Sequence, residues 1–343
     1  MKAMVLTSPR TFQKVDMAKP TPAPHEALVR VESSGICGSD LHYYTDGRIG
    51  DTVVREPLVL GHEYAGIVES VGRDADSSLV GKRVAVEPGI PCLRCEWCRS
   101  GHYNVCPQLQ FPGLPPNHGA FREYMTVHAD FCFPVPDEIS AAEAALIEPL
   151  AVAVHTVELA RVRPGDTAAV LGLGPIGLMT AKIAKLCGIS YLYGTDLFDF
   201  RLEAGRRYGV DATCNASQDD TVSWILEQTR GRGVDIVFDC ARSSLTPSIA
   251  CRVVKPAGRV ILTGISGESE GVFPVDVARR KELTVTWCRR FLFNYPTAIH
   301  LAVSRQIDLR SLVTHSFSLD DVGKAFEIAA EYRDGVLKVS IDQ

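Results

Sequence analysis

Cys92, Cys95, Cys98 and Cys106 form a C-x2-C-x2-C-x7-C run within the segment Pro91–Pro107. Four thiols this close together suit one tetrahedral Zn2+ held by four thiolates, a closed and therefore structural site. A zinc ribbon that binds nucleic acid would bring a basic surface, whereas this segment carries Arg94 and Arg99 with Glu96 between them. A pair of disulfides is the other reading of four cysteines, and it suits an oxidising compartment.

Outside this run stands a second set with mixed chemistry. Cys37 lies in Gly35-Ile36-Cys37-Gly38-Ser39-Asp40, His62 and Glu63 follow Gly61, and Glu148 lies in the apolar stretch Ile147-Glu148-Pro149-Leu150. Sulfur, nitrogen and oxygen ligands with one position left open make a site that does chemistry. A lone histidine or glutamate reads more simply as a satisfied polar group. A carboxylate among apolar neighbours, however, is costly unless it is paired or coordinates something.

The third group is Gly172-Leu173-Gly174-Pro175-Ile176-Gly177. It follows the apolar run Ala168–Leu171 and opens a helical pattern, the context in which G-x-G-x-x-G reads as a dinucleotide site. Gly172 suits the tight turn, Gly174 the approach of a pyrophosphate, and Gly177 close helix–strand packing. Asp196 ends the next predicted strand, where an acid accepts from ribose hydroxyls and repels a 2′-phosphate, favouring NAD over NADP. Arg201 is the counter-signal, because an arginine there could receive that phosphate. A glycine turn without a nucleotide is the plain alternative.

The surrounding pattern supplies elements to position these groups. Before Ser140 the chain alternates in short strands at 27–33, 65–71 and 82–86, with prolines too frequent for long helices. Ser140 and Glu143 are spaced as a capping box for a helix over 141–147, and a second helix is expected over 151–161. From Pro164 the pattern becomes strand 167–171, helix 176–187, strand 191–195, helix 200–208, and strands 234–239 and 258–264. That alternation predicts a doubly wound parallel sheet. The tail predicts an amphipathic helix over 320–332 and a closing strand over 335–341. The expected organisation is a discontinuous, mostly antiparallel β domain over 1–154 and 290–343, with the zinc loop at 91–107, and a nucleotide-binding domain over 155–289.

Composition excludes several classes. The 343 residues are 46% hydrophobic and 22% charged, with a formal net charge of −5. Nothing basic would recruit nucleic acid or an anionic membrane. No apolar run approaches the ~20 residues that cross a bilayer. Eleven cysteines without an export signal fit a reducing, cytoplasmic setting, with Cys187, Cys214, Cys240 and Cys251 expected as small buried side chains.

Together, the Gly-His-Glu triplet, the G-I-C-G-S-D-L-H segment, the four-cysteine loop and G-L-G-P-I-G resemble the zinc-dependent medium-chain dehydrogenases/reductases, over essentially the whole chain. Cys37–Tyr44, Gly47–Gly50, Leu146–Leu150 and Arg290 resemble the polyol branch, the sorbitol (L-iditol) and xylitol dehydrogenases. The resemblance implies a GroES-like catalytic domain with a Rossmann domain, NAD, and two Zn2+ per subunit. It implies a catalytic zinc on Cys37, His62 and Glu63, completed by Glu148 directly or through water. It also implies a proton relay through Ser39 and His42, and a polyol pocket lined by Tyr43, Phe111, Glu148, Arg290 and Phe291. Cofactor contacts are implied at Gly172, Gly174, Pro175, Ile176, Gly177, Asp196, Arg201, Thr263, Gly264, Ile265, Arg289 and Arg290. The expected partners are a polyol and its ketose, and a homotetramer is the family expectation.

Three departures stand out. Phe291 replaces a common tyrosine and Leu114 a threonine, each removing a hydroxyl, while the complete cysteine set differs from the animal sorbitol enzymes. A threonine, aldose or aldonate dehydrogenase is therefore a rival reading, as is a zinc protein that senses nucleotide redox state without turnover.

Overall fold

The computed structural model describes residues 1–343 and divides into two compact units. The first comprises Met1–Pro149 and Leu292–Gln343, the second Leu150–Phe291. The cuts expected at 154/155 and 289/290 lie a few residues away from these.

In the first unit the order of the main sheet is Cys132–Pro134, Arg83–Val86, Glu63–Val71, Glu26–Gly35, Lys338–Asp342, Val313–Ser318, with Tyr124–His128 also pairing to Glu26–Gly35. Its pairings are antiparallel except for Val313–Ser318 with Lys338–Asp342, which run parallel. The helix Val322–Ala330 makes that crossover, so the tail is a strand–helix–strand unit rather than a plain closing strand. The helix buries Val322, Ala325, Phe326 and Ala329, a spacing of three and four that puts them on one face. Phe326 packs against Phe12, Tyr44 and Phe121, and burying each such side chain contributes roughly 1.5–3 kcal/mol.

Two short helices position chemistry in this unit. Gly38–Asp46 begins at Cys37, whose amide donates to the Asp40 carboxylate. It stops where Gly47 takes a left-handed φ of 67° and its amide bonds the Tyr43 carbonyl. The capping box predicted at Ser140 and Glu143 is present at the head of Ala141–Ala145. The next helix runs Ile147–Ala160, four residues earlier than expected at its start. Pro149 falls in its first turn, where a missing amide costs nothing. Glu148 is therefore a helical residue at an N-terminus.

The second unit is a six-stranded parallel sheet ordered Ala212–Asn215, Tyr191–Asp196, Thr167–Leu171, Val234–Asp239, Val254–Leu262, Thr284–Trp287. In chain order this is 3-2-1-4-5-6, the doubly wound arrangement, whose order reverses beside Thr167–Leu171. Cys214 and Cys251 are buried as expected, but Cys240 is half-buried and Cys187 is exposed. Cys187 is the C-cap of the helix Pro175–Leu186.

Gly172 has φ 87°, and a methyl group on Gly177 would collide with the Gly172 carbonyl oxygen. The turn thus closes only if residue 177 has no side chain. We expect Gly177→Ala to lower stability by about 1–3 kcal/mol, seen as a lower urea midpoint at unchanged slope. A midpoint equal to the parent's would show that the turn relaxes freely.

Candidate metal and nucleotide sites

Asp40 joins the two backbone segments of the mixed-ligand set. One carboxylate oxygen accepts from the Cys37 amide at 2.9 Å, and the other accepts from the Gly61 amide at 3.2 Å. The second oxygen also faces His62 Nδ1 at 3.6 Å. A carboxylate on the Nδ1 side of the ring would leave Nε2 for a ligand. Phe111 packs its ring against His62, with centroids 5.2 Å apart. The ligand atoms of Cys37, His62 and Glu63 all lie within 4.8 Å of one another.

Burial alone would lower the His62 pKa, but the Asp40 carboxylate and the Cys37 sulfur hold it well above the ordinary histidine value. Lys338, buried against Glu63, is likewise raised: burial opposes its charge, and Glu63, Cys37 and Glu148 outweigh it. Both shifts report one property, a buried pocket that is short of positive charge. A divalent cation is the natural complement to thiol, imidazole and carboxylate donors set this way.

Of the other expected residues, Glu148 is buried and lies outside the group of three ligands, within electrostatic reach of Lys338 and Tyr295. Ser39 and His42 share the helix Gly38–Asp46. His42 is buried, and its Nδ1 faces the exposed Asp46 carboxylate at 3.5 Å. Tyr43 is buried in the apolar cluster with Leu41, Tyr44 and Phe326. Arg289, Arg290 and Phe291 close the second unit, where Arg290 adopts a left-handed φ of 57° and Phe291 is buried. Asp40 and Lys338 are the residues that sequence reasoning did not assign. The signal for Lys338 was a lysine inside an otherwise apolar closing strand.

The four-cysteine loop brings its sulfurs together. Cys95 and Cys98 are 3.4 Å apart, Cys95 and Cys106 3.9 Å, Cys92 and Cys98 4.0 Å, and no disulfide forms. Zn–S bonds of 2.3 Å in a tetrahedron require separations of about 3.8 Å, so the residues fit a metal. The Arg94 backbone amide draws the Cys92 thiol down to about 6. The loop is anchored by Tyr103, whose hydroxyl donates to the buried Glu87 at 2.6 Å and accepts from the Phe293 amide at 3.0 Å.

In the second unit the glycine loop opens the helix Pro175–Leu186, with Gly174 as N-cap and Pro175 at its first position. Unpaired amides and the positive end of the helix dipole there suit a phosphate. Asp196 is buried, and its carboxylate accepts from the Leu173 amide at 2.8 Å and from Leu197 and Phe198 at 2.8 and 3.2 Å. The acid expected to meet a ribose therefore spends three of its roughly four acceptor sites holding the loop. Arg201 sits 3.6 Å from Asp196 and stacks on Phe198 and Phe200. The amides of Thr263 and Gly264 bond the Asp239 carbonyl, and Ile265 is exposed.

The description "Alcohol dehydrogenase GroES-like domain" fits residues 23–137, and "Zinc-binding dehydrogenase" fits residues 175–304. Sorbitol dehydrogenase of Bacillus subtilis is 39% identical over 99% of this chain and 97% of its own length. D-xylulose reductase of Saccharomyces cerevisiae is 36% identical, with the same two coverages. An alcohol dehydrogenase of E. coli CFT073, solved with NADH, superposes with a TM-score of 0.91 at 30% identity, covering 100% of this chain and 99% of that one.

Glu87 yields a pH prediction. Burial raises its carboxyl to about 7 from 4.5, with the Tyr103 hydrogen bond pulling the other way. The folded chain keeps this proton where the unfolded chain has lost it, so stability falls as pH rises from 4.5 to about 7 and is flat above. At about 1.4 kcal/mol per pH unit, the loss is on the order of 3 kcal/mol. Urea unfolding at several pH values in that window should show this fall for the parent and not for Glu87→Gln. Parallel pH curves for the two proteins would remove Glu87 as the cause.

Proposed function

The chain belongs to the zinc-dependent medium-chain dehydrogenases/reductases, and from that premise we propose that it oxidises a secondary hydroxyl of a polyol to the ketose, with NAD+ as hydride acceptor. The observation that carries the reading is the approach of Cys37, His62 and Glu63 to within 4.8 Å in a buried pocket short of positive charge. Sorbitol dehydrogenase and D-xylulose reductase relatives spanning nearly the whole chain support the polyol class.

Cys37, His62 and Glu63 would hold a catalytic zinc, with Glu148 beyond them, and Cys92, Cys95, Cys98 and Cys106 a structural one, two per subunit. Zinc supplies Lewis acidity, which lowers the pKa of a hydroxyl that it binds. The chain's own residues do the rest. Ser39 and His42 would be successive members of a relay that passes the alcohol proton outward, with His42 beside the exposed Asp46 carboxylate. Phe111 packs on the imidazole of His62, and Glu148, Tyr43, Arg290 and Phe291 are the further residues that the family resemblance would assign to polyol binding. Phe291 has no hydroxyl to offer, so the arginine fork of Arg290 carries more of the orientation.

Gly172, Gly174, Pro175, Ile176 and Gly177 would cradle the pyrophosphate, with Asp196, Arg201, Thr263, Gly264, Ile265, Arg289 and Arg290 as further contacts. The Asp196 carboxylate at the end of its strand, beside the glycine loop, favours NAD over NADP, whose 2′-phosphate an acid there would repel. Arg201, already stacked and paired with Asp196, is the weaker influence. No helix is long and apolar enough to cross a membrane. A homo-oligomer is supported by the outermost strand Thr284–Trp287, with Trp287, Val272 and Val275 strongly exposed.

Reduction of NAD+ and NADP+ measured with sorbitol, xylitol, L-threonine and L-idonate tests the reading. Polyols should be turned over with NAD+, and Cys37→Ala should remove at least about 99% of that activity. Turnover of threonine or idonate alone would move the chain to another branch. No reduced coenzyme with any alcohol would make it a non-catalytic nucleotide sensor.

A further inference from the structure

Lys338 stands where a lysine needs a reason. It opens the strand Lys338–Asp342, is 4% exposed, and directs its ammonium inward. Lysine is almost never found in such a place unless it is paired. Its Nζ contacts Glu63 Oε2 and donates at 3.0 Å to the carbonyl of Ile36, the residue before Cys37. The cation therefore touches both segments that supply the mixed-ligand set. The backbone is shaped around this contact: a methyl group on Gly35 would strike Glu63 Oε2 and come within 3.2 Å of Lys338 Cε. Gly35 lies opposite Glu63 on one neighbouring strand and Ser340 on the other, so carboxylate and ammonium are pressed together over a residue without a side chain.

We propose that Lys338 is a positioning residue, a buried counter-ion that fixes one oxygen of Glu63 and so sets how that carboxylate is presented to a cation shared with Cys37 and His62. The inference rests on the reading of that trio as a metal site. A carboxylate can offer a metal one oxygen or two. With Oε2 held by an ammonium that is itself tied to Ile36, Glu63 would have a single oxygen left to offer a cation. The same ion pair draws electron density from Glu63, making it a weaker donor. Partners of this kind, which orient a metal-binding side chain, commonly matter about 10–100-fold to metal affinity or activity.

The test compares the holoenzyme with Lys338→Met and Lys338→Arg after the second metal has been exchanged for Co2+, whose visible absorption reports coordination number. Metal content and the rate of metal release to a chelator are measured in parallel. Retention of the four-sulfur metal and of the parent's circular dichroism identifies a folded variant. If Lys338→Met does not accumulate folded, Lys338→Gln, which keeps a donor without the charge, takes its place. The proposal expects the neutral variant to change the cobalt band or to alter release of the second metal by about tenfold or more, and Lys338→Arg to return both towards the parent. A neutral variant whose band and release rate match the parent's overturns the role of Lys338. A parent that binds no second metal overturns the metal-site reading beneath it.

Discussion

Asp40 is the constraint on which the mixed-ligand site depends. Cys37 and His62 sit on separate segments, which the strand pairing brings side by side at Gly35 and Glu63 but does not hold beyond the end of the ladder. One buried carboxylate, accepting from the Cys37 amide and the Gly61 amide and facing His62 Nδ1, fixes both backbones at once. Its own burial is tolerable because it accepts two amide hydrogen bonds, in which a charged acceptor is worth more than a neutral one. It caps a helix in the same act, so local helix formation and assembly of the site become a single event. A neutral residue at position 40 would release the cap, the loop before His62 and the orientation of the ring together.

Charge balance explains the remaining architecture. Asp40, Glu63 and Glu148 are all buried in the first unit, and the buried cationic groups of that pocket are Lys338 and, when protonated, His62. Buried ions are stable only when matched, and the upward shifts of both basic groups express the residual demand for cation. A divalent cation held by Cys37, His62 and Glu63 would meet that demand, with His62 binding as the neutral imidazole. The four-cysteine loop differs: its sulfurs are mostly half-buried and near the surface, consistent with a staple for a long loop rather than a place where substrate reacts.

Much of this was legible in the chain, and the misses have physical causes. Metal-binding residue types are rare and closely spaced, so the four cysteines and Gly61-His62-Glu63 stood out, and the parallel sheet followed from its alternating pattern. The helix expected from 151 begins at Ile147, with Pro149 in its first turn, where proline is at ease. Cys187 was expected inside because cysteine usually is, but it is exposed at the end of its helix. Asp196 was read for what an acid could offer a ribose. Three backbone amides that converge on it come from the folded turn and leave no trace in spacing. Lys338 left only a faint mark, a lysine among mostly apolar strand residues, because a strand lysine ordinarily points to water and its partner lies at the other end of the sequence.

This division between legible and hidden residues follows from what each type of interaction requires. A ligand must be a particular element, so selection by chemistry leaves a mark on residue identity. A positioning group need only carry a charge of the right sign at the right place, and the fold can supply it from any strand that passes by. Here the strand Lys338–Asp342 lies beside Glu26–Gly35, which sets Ser340 against Gly35. Gly35 in turn is paired with Glu63. A one-residue slip in that register would turn Lys338 to the other face and leave Glu63 buried without a cation. The charge of the site is thus written into strand register, and the apolar cluster that includes Val339 and Ile341 holds that register in place.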